Sequence, residues 1–466
     1  MNHKFRIFVW FPFLIALLAC STYIPILRPE PTLSLAQKNY SGKASSTPLP
    51  TSTASPTATS TPSPLPPSST PTLVSTSTYT PTDIPLSTQL NIFDDLWTIV
   101  NDTYIYSDFN GMDWNAVYKE YRQRITDGMT NEQFYLAMSD LITSLGDDHS
   151  FFLDPQLVAE QEAEYQGAFD YVGIGVMVSA IPDRDRAVII SVFPGSPAEA
   201  AGLQPRDSIL SVDGTPILDE YGFLRDIVRG PEGTSINITV QSPEEDPHIV
   251  QITRHRISGE SPVVYEVIDT PEGKRIGYIL LVTFEDSTVD EQVAEALRQM
   301  TVDAPLDGLI LDNRMNGGGS STVLEPMLGF FAGGDLGTFF SRDEEHPLQI
   351  RLNNINGSSQ VPLVVLIGKG TASFGEIFAG VLQDIDRAYL IGTTTDGNVE
   401  ILWGYELEDG SKLWLANETF RPLNHPEQEW EKTGIIPDSN ISGDFDEFSL
   451  NDDPAVASAI KYLSER

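Results

Sequence analysis

Apolar residues recur along this chain with two different periods, and the change of period divides it. Leu90 to Val100 carries Ile92, Phe93, Leu96, Trp97 and Val100 at helical spacing. Asp113-Trp114 opens a second helical pattern with Val117, Tyr118, Tyr121 and Ile125, and Thr130-Asn131-Glu132 a third with Phe134, Leu136, Met138, Leu141 and Ile142. Three such amphipathic segments predict a small helical bundle. From Tyr171 the pattern alternates. Tyr171–Val176, Ala187–Val192, Asp207–Gly214 and Ser235–Val240 read as strands, with a helix near Leu218 to Val228. Beyond these, strands and helical patterns take turns. Arg275–Leu281 is a strand, Val289–Met300 a helix, Gly308–Asp312 a buried strand and Thr322–Phe331 a helix. Val361–Ile367 is a buried strand, and a helix follows with Ile377, Phe378, Val381 and Leu382 on one face. This order predicts an α/β core preceded by a helical segment and a mainly β module.

The N-terminal stretch belongs to neither pattern. Lys4 and Arg6 precede the uncharged apolar run Ile7–Ala19, which is too short to span a bilayer comfortably and reads as a signal sequence. It ends in Leu17-Leu18-Ala19-Cys20, which resembles the bacterial lipobox. That resemblance implies cleavage before Cys20 and lipid attachment to its sulfur, hence a protein anchored to the cell membrane and facing the extracytoplasmic side. A plain signal peptide with a chance cysteine is the alternative. Cys20 is the chain's one cysteine, so no internal disulfide forms. Residues 45–86 are almost entirely Ser, Thr and Pro, a composition that buries no core and reads as an extended tether. The expected organisation is a signal peptide at 1–20, tether at 21–86, helical segment at 87–165, β module at 166–256 and α/β core at 257–466. The formal net charge is −38, and the first 90 residues hold five cations against Glu30 and Asp83. The globular body is therefore strongly acidic, which excludes nucleic acid and argues against anionic lipid as a direct partner.

Candidate chemistry converges on two turns. Ser373 stands where the apolar strand hands over to a helix, in Gly368-Lys369-Gly370-Thr371-Ala372-Ser373-Phe374-Gly375-Glu376. A serine there projects from a rigid support, and the free amides of the helix start can hold an oxyanion. Equally, Thr371 or Ser373 reads as an N-cap, with Glu376 completing a capping box. The second turn, Asn316-Gly317-Gly318-Gly319, forms a nest of amides between strand and helix. It lacks the Gly-Lys-Ser/Thr ending of a phosphate loop, which leaves an oxyanion hole. A general base is needed, and histidine suits neutral pH. Of the six histidines, His149, in Gly146-Asp147-Asp148-His149-Ser150-Phe151-Phe152, lies beside apolar residues at a helix end. It also reads as a surface loop histidine.

Two resemblances add to this. Gly195-Ser196-Pro197-Ala198-Glu199-Ala200-Ala201-Gly202-Leu203, followed by Asp207-Ser208-Ile209-Leu210-Ser211-Val212-Asp213-Gly214, resembles a PDZ domain of the bacterial protease type. It implies a groove for an extended peptide, with Val172, Gly173, Ile174 and Gly175 as the carboxylate-binding loop; a structural spacer is the other reading. Asp312-Asn313-Arg314-Met315-Asn316-Gly317-Gly318-Gly319, the Ser373 turn, and Glu431-Lys432-Thr433-Gly434-Ile435-Ile436-Pro437-Asp438 together resemble the S41 peptidase family of C-terminal processing and tricorn core proteases. The resemblance covers about residues 87–466. It implies a ClpP/crotonase-like α/β core with an inserted PDZ domain, Ser373 as nucleophile, and the amides of Gly317, Gly318 and Phe374 as the oxyanion hole.

One departure selects between branches of that family. The C-terminal processing branch uses a Ser/Lys dyad, and at the position of its lysine this chain has Asn398, in Gly397-Asn398. Asparagine is no base, and Lys369 precedes the turn. The tricorn-like branch implies His149, flanked by Ser150, and Glu431 instead. His149 would take the Ser373 proton while Glu431, which also reads as a surface carboxylate, supports the imidazole. A membrane-anchored serine endopeptidase acting on unfolded or C-terminally presented polypeptides is expected, with no metal or cofactor. The alternative is a non-catalytic pseudoprotease that binds peptide or an apolar ligand.

Overall fold

The computed structural model describes residues 84–147, 149–165, 171–220, 222–258 and 262–466. The signal sequence, Cys20 and nearly all of the tether lie outside the described residues. Among those described, no helix is long and apolar enough to cross a membrane.

The α/β core is a six-stranded sheet in the order Val264–Asp269, Arg275–Leu280, Gly308–Asp312, Leu363–Ile367, Tyr389–Gly392 and Ser439–Asn440. All neighbours are parallel except the first pair. Strand alternation sorts the side chains to two buried faces. Ile279, Leu309, Leu311, Leu363, Val365 and Ile367 face a layer of helices, Val289–Met300, Ser321–Phe331 and Phe374–Asp384. Ile276, Tyr278, Leu280, Ile310, Val364 and Leu366 face helix Pro454–Ser464 together with Val188 and Ile190 of the middle module.

A second, antiparallel sheet carries the helical segment. Its long strand Lys412–Pro422 pairs with Phe151–Leu153, Ile401–Glu406 and Gly334–Phe340. Helices Leu86–Thr103, Trp114–Thr126 and Asn131–Thr143 bury Ile92, Phe93, Leu96, Phe134, Met138 and Leu141 with Leu413, Trp414 and Leu415 of this sheet. Asp113 caps the second helix, and Thr130 with Gln133 forms a capping box on the third.

The middle module holds strands Arg186–Val192, Ser208–Val212 and Ser235–Gln241 at the expected places, with His248–Thr253 at the edge, while the first expected strand, Tyr171–Val176, is replaced by Tyr171–Gly173 and a separate strand Val176–Ile181. Another expectation is corrected. Among the described residues of 218–228 no helix forms; Leu218 and Leu224 instead make an isolated bridge. Arg225 Nε donates back to the Leu218 carbonyl at 3.2 Å, and Ile217 and Leu218 are buried in the module's core. Strand-like packing of these two residues competes with helix formation there.

Candidate active site

Strand Leu363–Ile367 delivers the chain into the turn that carries Ser373. The turn is tied to the neighbouring loop, since Thr371 Oγ1 donates to the Asn313 carbonyl at 2.7 Å and the Ala372 amide to the Asn316 carbonyl at 3.0 Å. Ser373 has φ 51° and ψ −128°, a left-handed conformation that costs a non-glycine residue about 1–3 kcal/mol. It occupies the N-cap position of helix Phe374–Asp384, yet its hydroxyl makes no capping bond, and among the described residues it has no hydrogen-bond partner. The capping alternative therefore does not describe Ser373, and Thr371 is spent on the loop.

Glu376 does not complete a capping box either. Its buried carboxylate reaches across to the following segment and accepts from the amides of Gly397 and Asn398, each at 2.8 Å, and from the Thr395 hydroxyl. Burial pushes its pKa up to about 7, against the lowering effect of those three donors. Asn398 in turn accepts from the Ser373 amide at 2.7 Å through its carbonyl. The position of the family lysine thus abuts Ser373 but offers no basic group, and Lys369 is exposed.

Gly318 lies against Ser373. A Cβ there would fall 2.7 Å from Ser373 Cβ and 3.0 Å from the Phe374 nitrogen, and its φ is +97°. Its amide, however, donates to Asn316 Oδ1 at 3.0 Å. The expectation that Gly318 supplies an oxyanion donor is corrected on that ground. The amides of Gly317 and Phe374 donate to no group among the described residues, and these two remain open for a ligand.

The histidine comes from the helical segment. Asp147 Oδ1 accepts from the amides of His149 (3.1 Å) and Ser150 (2.6 Å), an Asx turn that sets the backbone. Ser150 Oγ donates to Asp147 Oδ2 at 2.8 Å and accepts from the Ala416 amide at 2.9 Å. That hydroxyl pins the turn to the long strand, so Ser150 positions His149 rather than facing Ser373. The imidazole is buried, 5% exposed, between two carboxylates: Nδ1 lies 3.8 Å from Glu400 Oε2, and Nε2 3.9 Å from Glu431 Oε1. Burial lowers its pKa to about 4, against the raising effect of Asp147, so the ring is neutral at physiological pH.

Glu431 is buried rather than a solvated surface carboxylate. Its Oε2 accepts from the Val399 amide at 2.9 Å. Burial raises it to about 7. Burial first, and then Glu431, raises Glu400 to about 8. Glu400 Oε1 accepts the Tyr106 hydroxyl, while its Oε2 is buried with no hydrogen-bond partner. The segment Asn398–Glu400 therefore stands between Ser373, bound to its first residue, and the His149–Glu431 pair, bound to its second. Ser373 and His149 make no direct hydrogen bond in this geometry.

Glu400, Tyr106 and Asp147 were not singled out in the sequence. Glu400 lies two residues beyond Asn398 in a stretch without a helical or strand signature, and Tyr106 reads as one more aromatic of the bundle. In the middle module, Val172 and Gly173, expected in a loop, lie in the short strand Tyr171–Gly173 paired with His255–Ile257, and Ile174 and Gly175 follow it. The carbonyls of Val172, Ile174 and Gly175 accept from the amides of Gly230, Ala198 and Phe193. Gly175, at φ +82°, lets Ser196 approach closely.

Comparison with known proteins agrees with this architecture. Peptidase family S41 matches residues 275–441, the tricorn protease C1 domain residues 88–143, and the PDZ domain residues 188–242. The chain is similar to the carboxyl-terminal-processing protease of Synechocystis, 30% identical over 81% of this chain and 86% of that protein. It is likewise similar to the chloroplastic carboxyl-terminal-processing peptidase 2 of Arabidopsis thaliana, 31% identical over 80% of this chain and 73% of that one. Among solved structures, the photosystem II D1 C-terminal processing protease superposes with a TM-score of 0.56 at 25% identity, covering 76% of this chain and 93% of that one. The helical segment, the PDZ domain and the α/β core together place this chain in peptidase family S41, the carboxyl-terminal-processing serine peptidases.

Proposed function

We propose that this S41 peptidase works through Ser373, His149 and Glu431 rather than through a Ser/Lys dyad. The observation that carries the reading is Ser373 itself: a strained left-handed serine at a helix N-terminus, its hydroxyl free of capping, with a buried neutral imidazole across the Asn398–Glu400 segment. His149 accepts the Ser373 proton as Oγ attacks the scissile carbonyl. The oxyanion settles on the Gly317 and Phe374 amides, and Glu431 supports the imidazolium. The imidazolium then protonates the leaving amine, and water hydrolyses the acyl-enzyme by the same base. Ser373 and His149 come into hydrogen-bond contact when substrate is engaged, as catalytic pairs commonly tighten in the Michaelis complex.

The substrate class we infer is an unfolded or C-terminally presented polypeptide. The names of the relatives and the PDZ match support it. Equal cleavage of a folded and an unfolded substrate would count against this part. Anchoring through a lipid on Cys20, facing the extracytoplasmic side, completes the reading. A Cys20→Ala chain that still partitions into detergent would reject it.

The decisive experiment is labelling with a fluorophosphonate probe. Wild-type protein is expected to label, and Ser373→Ala and His149→Ala are not. The absent Ser373–His149 hydrogen bond favours one competing reading, a non-catalytic peptide binder. Folded protein that fails to label even with an unstructured peptide present would establish it.

A further inference from the structure

We propose that His149, Glu400 and Glu431 also form a binding site for a divalent transition metal of the zinc class, and that occupancy reversibly silences the peptidase. One ring nitrogen and one carboxylate oxygen from each glutamate lie within 4.8 Å of one another. Glu400 Oε2 lies 3.8 Å from the ring's Nδ1 and Glu431 Oε1 3.9 Å from its Nε2. A second observation points to a missing ligand. Glu400 is 2% exposed, its Oε1 is satisfied by Tyr106, and its Oε2, directed at the imidazole, is a buried oxygen with no hydrogen-bond partner. A buried acceptor left unmatched costs free energy that a cation at this point would recover.

The donor set selects the ion. One imidazole and two carboxylates suit zinc, which takes nitrogen and oxygen ligands at about 2.0–2.2 Å and keeps a fourth position for water. Calcium and magnesium require all-oxygen shells with more ligands. Tetrahedral donors stand roughly 3.4 Å apart at those bond lengths, so the present spacings contract by a modest side-chain adjustment. Metal binding displaces any proton the two glutamates hold, and a dication facing two carboxylates and a neutral ring then leaves no net charge in a buried place, where like carboxylates otherwise oppose one another. Binding uses one ring nitrogen and draws the farther carboxylate around to it.

The effect on catalysis follows from the electron count of imidazole. A neutral ring has one lone pair, on whichever nitrogen lacks hydrogen. Metal coordination consumes it, and no lone pair remains to take the Ser373 proton. This consequence rests on the Ser373/His149 reading above; the binding itself does not.

The test is calorimetric titration of the metal-free full chain with zinc chloride, run beside fluorophosphonate labelling. One zinc per chain is expected, with affinity weakened at least tenfold in Glu400→Gln and in His149→Gln. Bound zinc is expected to suppress labelling, and EDTA to restore it, while magnesium and calcium do neither. If Glu400→Gln does not fold, Glu431→Gln reads the same quantity. Zinc affinity unchanged in either the histidine or the glutamate variant overturns the site. Labelling unaffected by stoichiometric zinc overturns its regulatory role. Protein that binds zinc through these residues yet never labels in metal-free form leaves the site standing and refutes the peptidase mechanism instead.

Discussion

At the scale of single residues, the site is governed by burial acting on three titratable groups that share one small volume. His149 is held neutral by desolvation, with a pKa near 4. It therefore stays unprotonated well below pH 6, and in the proposed mechanism its own protonation does not set the acid limb of activity near neutrality. What titrates near neutrality is the carboxylate proposed to support the developing imidazolium. Glu431 is pushed up to about 7, so the labelling rate should climb through pH 7 as Glu431 ionises. Glu431→Gln is expected to remove that limb and to lower the rate by about 10²-fold or more. A limb that stays at pH 7 in this variant would assign the titration elsewhere. Stability runs in the opposite direction. A glutamate whose folded pKa is raised keeps a proton that the unfolded chain has already lost, so its contribution is whole below the unfolded value and disappears as pH rises through the folded one. For Glu400 that window extends up to about 8. His149 is the reverse case: its contribution is whole above its ordinary 6.5 and is lost as pH falls toward 4. Glu400→Gln removes only the first effect. Its melting temperature relative to wild type should therefore rise between about pH 4.5 and pH 8 and level off above that, each unit of pKa shift being worth about 1.4 kcal/mol. A pH-independent difference would mean that Glu400 ionises normally.

At the scale of elements, the site is an agreement among loops, and this is where sequence and structure diverge most. Glu376 shows how. Its position, three residues after Ser373, looks like half of a capping box, yet it clamps Thr395, Gly397 and Asn398 instead. Removing it leaves two buried amides without an acceptor, a loss of about 1–3 kcal/mol for each. Glu376→Ala should lower denaturant stability by that order and slow fluorophosphonate labelling, because Asn398 would no longer be fixed beside Ser373. Normal labelling in this variant would make the clamp purely structural. Gly318→Ala tests the opposite turn. The new methyl meets Ser373 Cβ at 2.7 Å and the Phe374 nitrogen at 3.0 Å, at a φ of +97° that a side chain disfavours, so labelling should be lost and the melting temperature should fall with it. The helices at 289–300 and 374–384 and the strand at 308–312 were legible because their apolar periods are long and uninterrupted. So was the turn that carries Ser373, because a stretch of small residues between an apolar strand and a helical pattern leaves a trace in order and spacing. Glu400 was not legible: its place beside the imidazole is set by pairing of strand Ile401–Glu406 with Lys412–Pro422, a contact that no local pattern encodes. The helix expected at 218–228 failed for a related reason, since its leucine joins a bridge instead of a helical face.

At the scale of the whole molecule, the PDZ module and the core are joined through a buried charge network centred on Arg206. This residue sits at φ 82°, an unfavourable conformation for arginine, and its guanidinium leaves the module altogether. It donates to Asp453 at 2.8 Å and to the Phe448 carbonyl at 3.0 Å, and lies over the Phe445 ring. Asp453 and Asp312 are also shared with Arg314, at 2.7 Å and 2.6 Å, and Tyr278 donates to Asp312. Two guanidiniums against two carboxylates are neutral overall. That balance permits full burial, whereas deleting one cation leaves an uncompensated buried anion, at a cost of about 3–5 kcal/mol. The same network sits under the Asp312–Arg314 turn, from which the chain runs directly into the Asn316–Gly319 loop facing Ser373. Arg206→Met should therefore do two things. It should lower the denaturant midpoint, and it should separate unfolding of the module from that of the core, leaving the apolar contact of Val188, Ile190, Met177 and Ile181 and the ion pairs of Arg184 and Arg186 with Asp444, Asp446 and Glu447. Two resolved transitions, with the earlier one accompanied by loss of labelling, would show that the module supports the geometry of the Asn316–Gly319 loop. A single transition at an unchanged midpoint would show that these other contacts suffice to couple the two. In that case Arg206 is retained for the specificity of docking rather than its strength, because a buried ion pair contributes little over a well-packed apolar replacement.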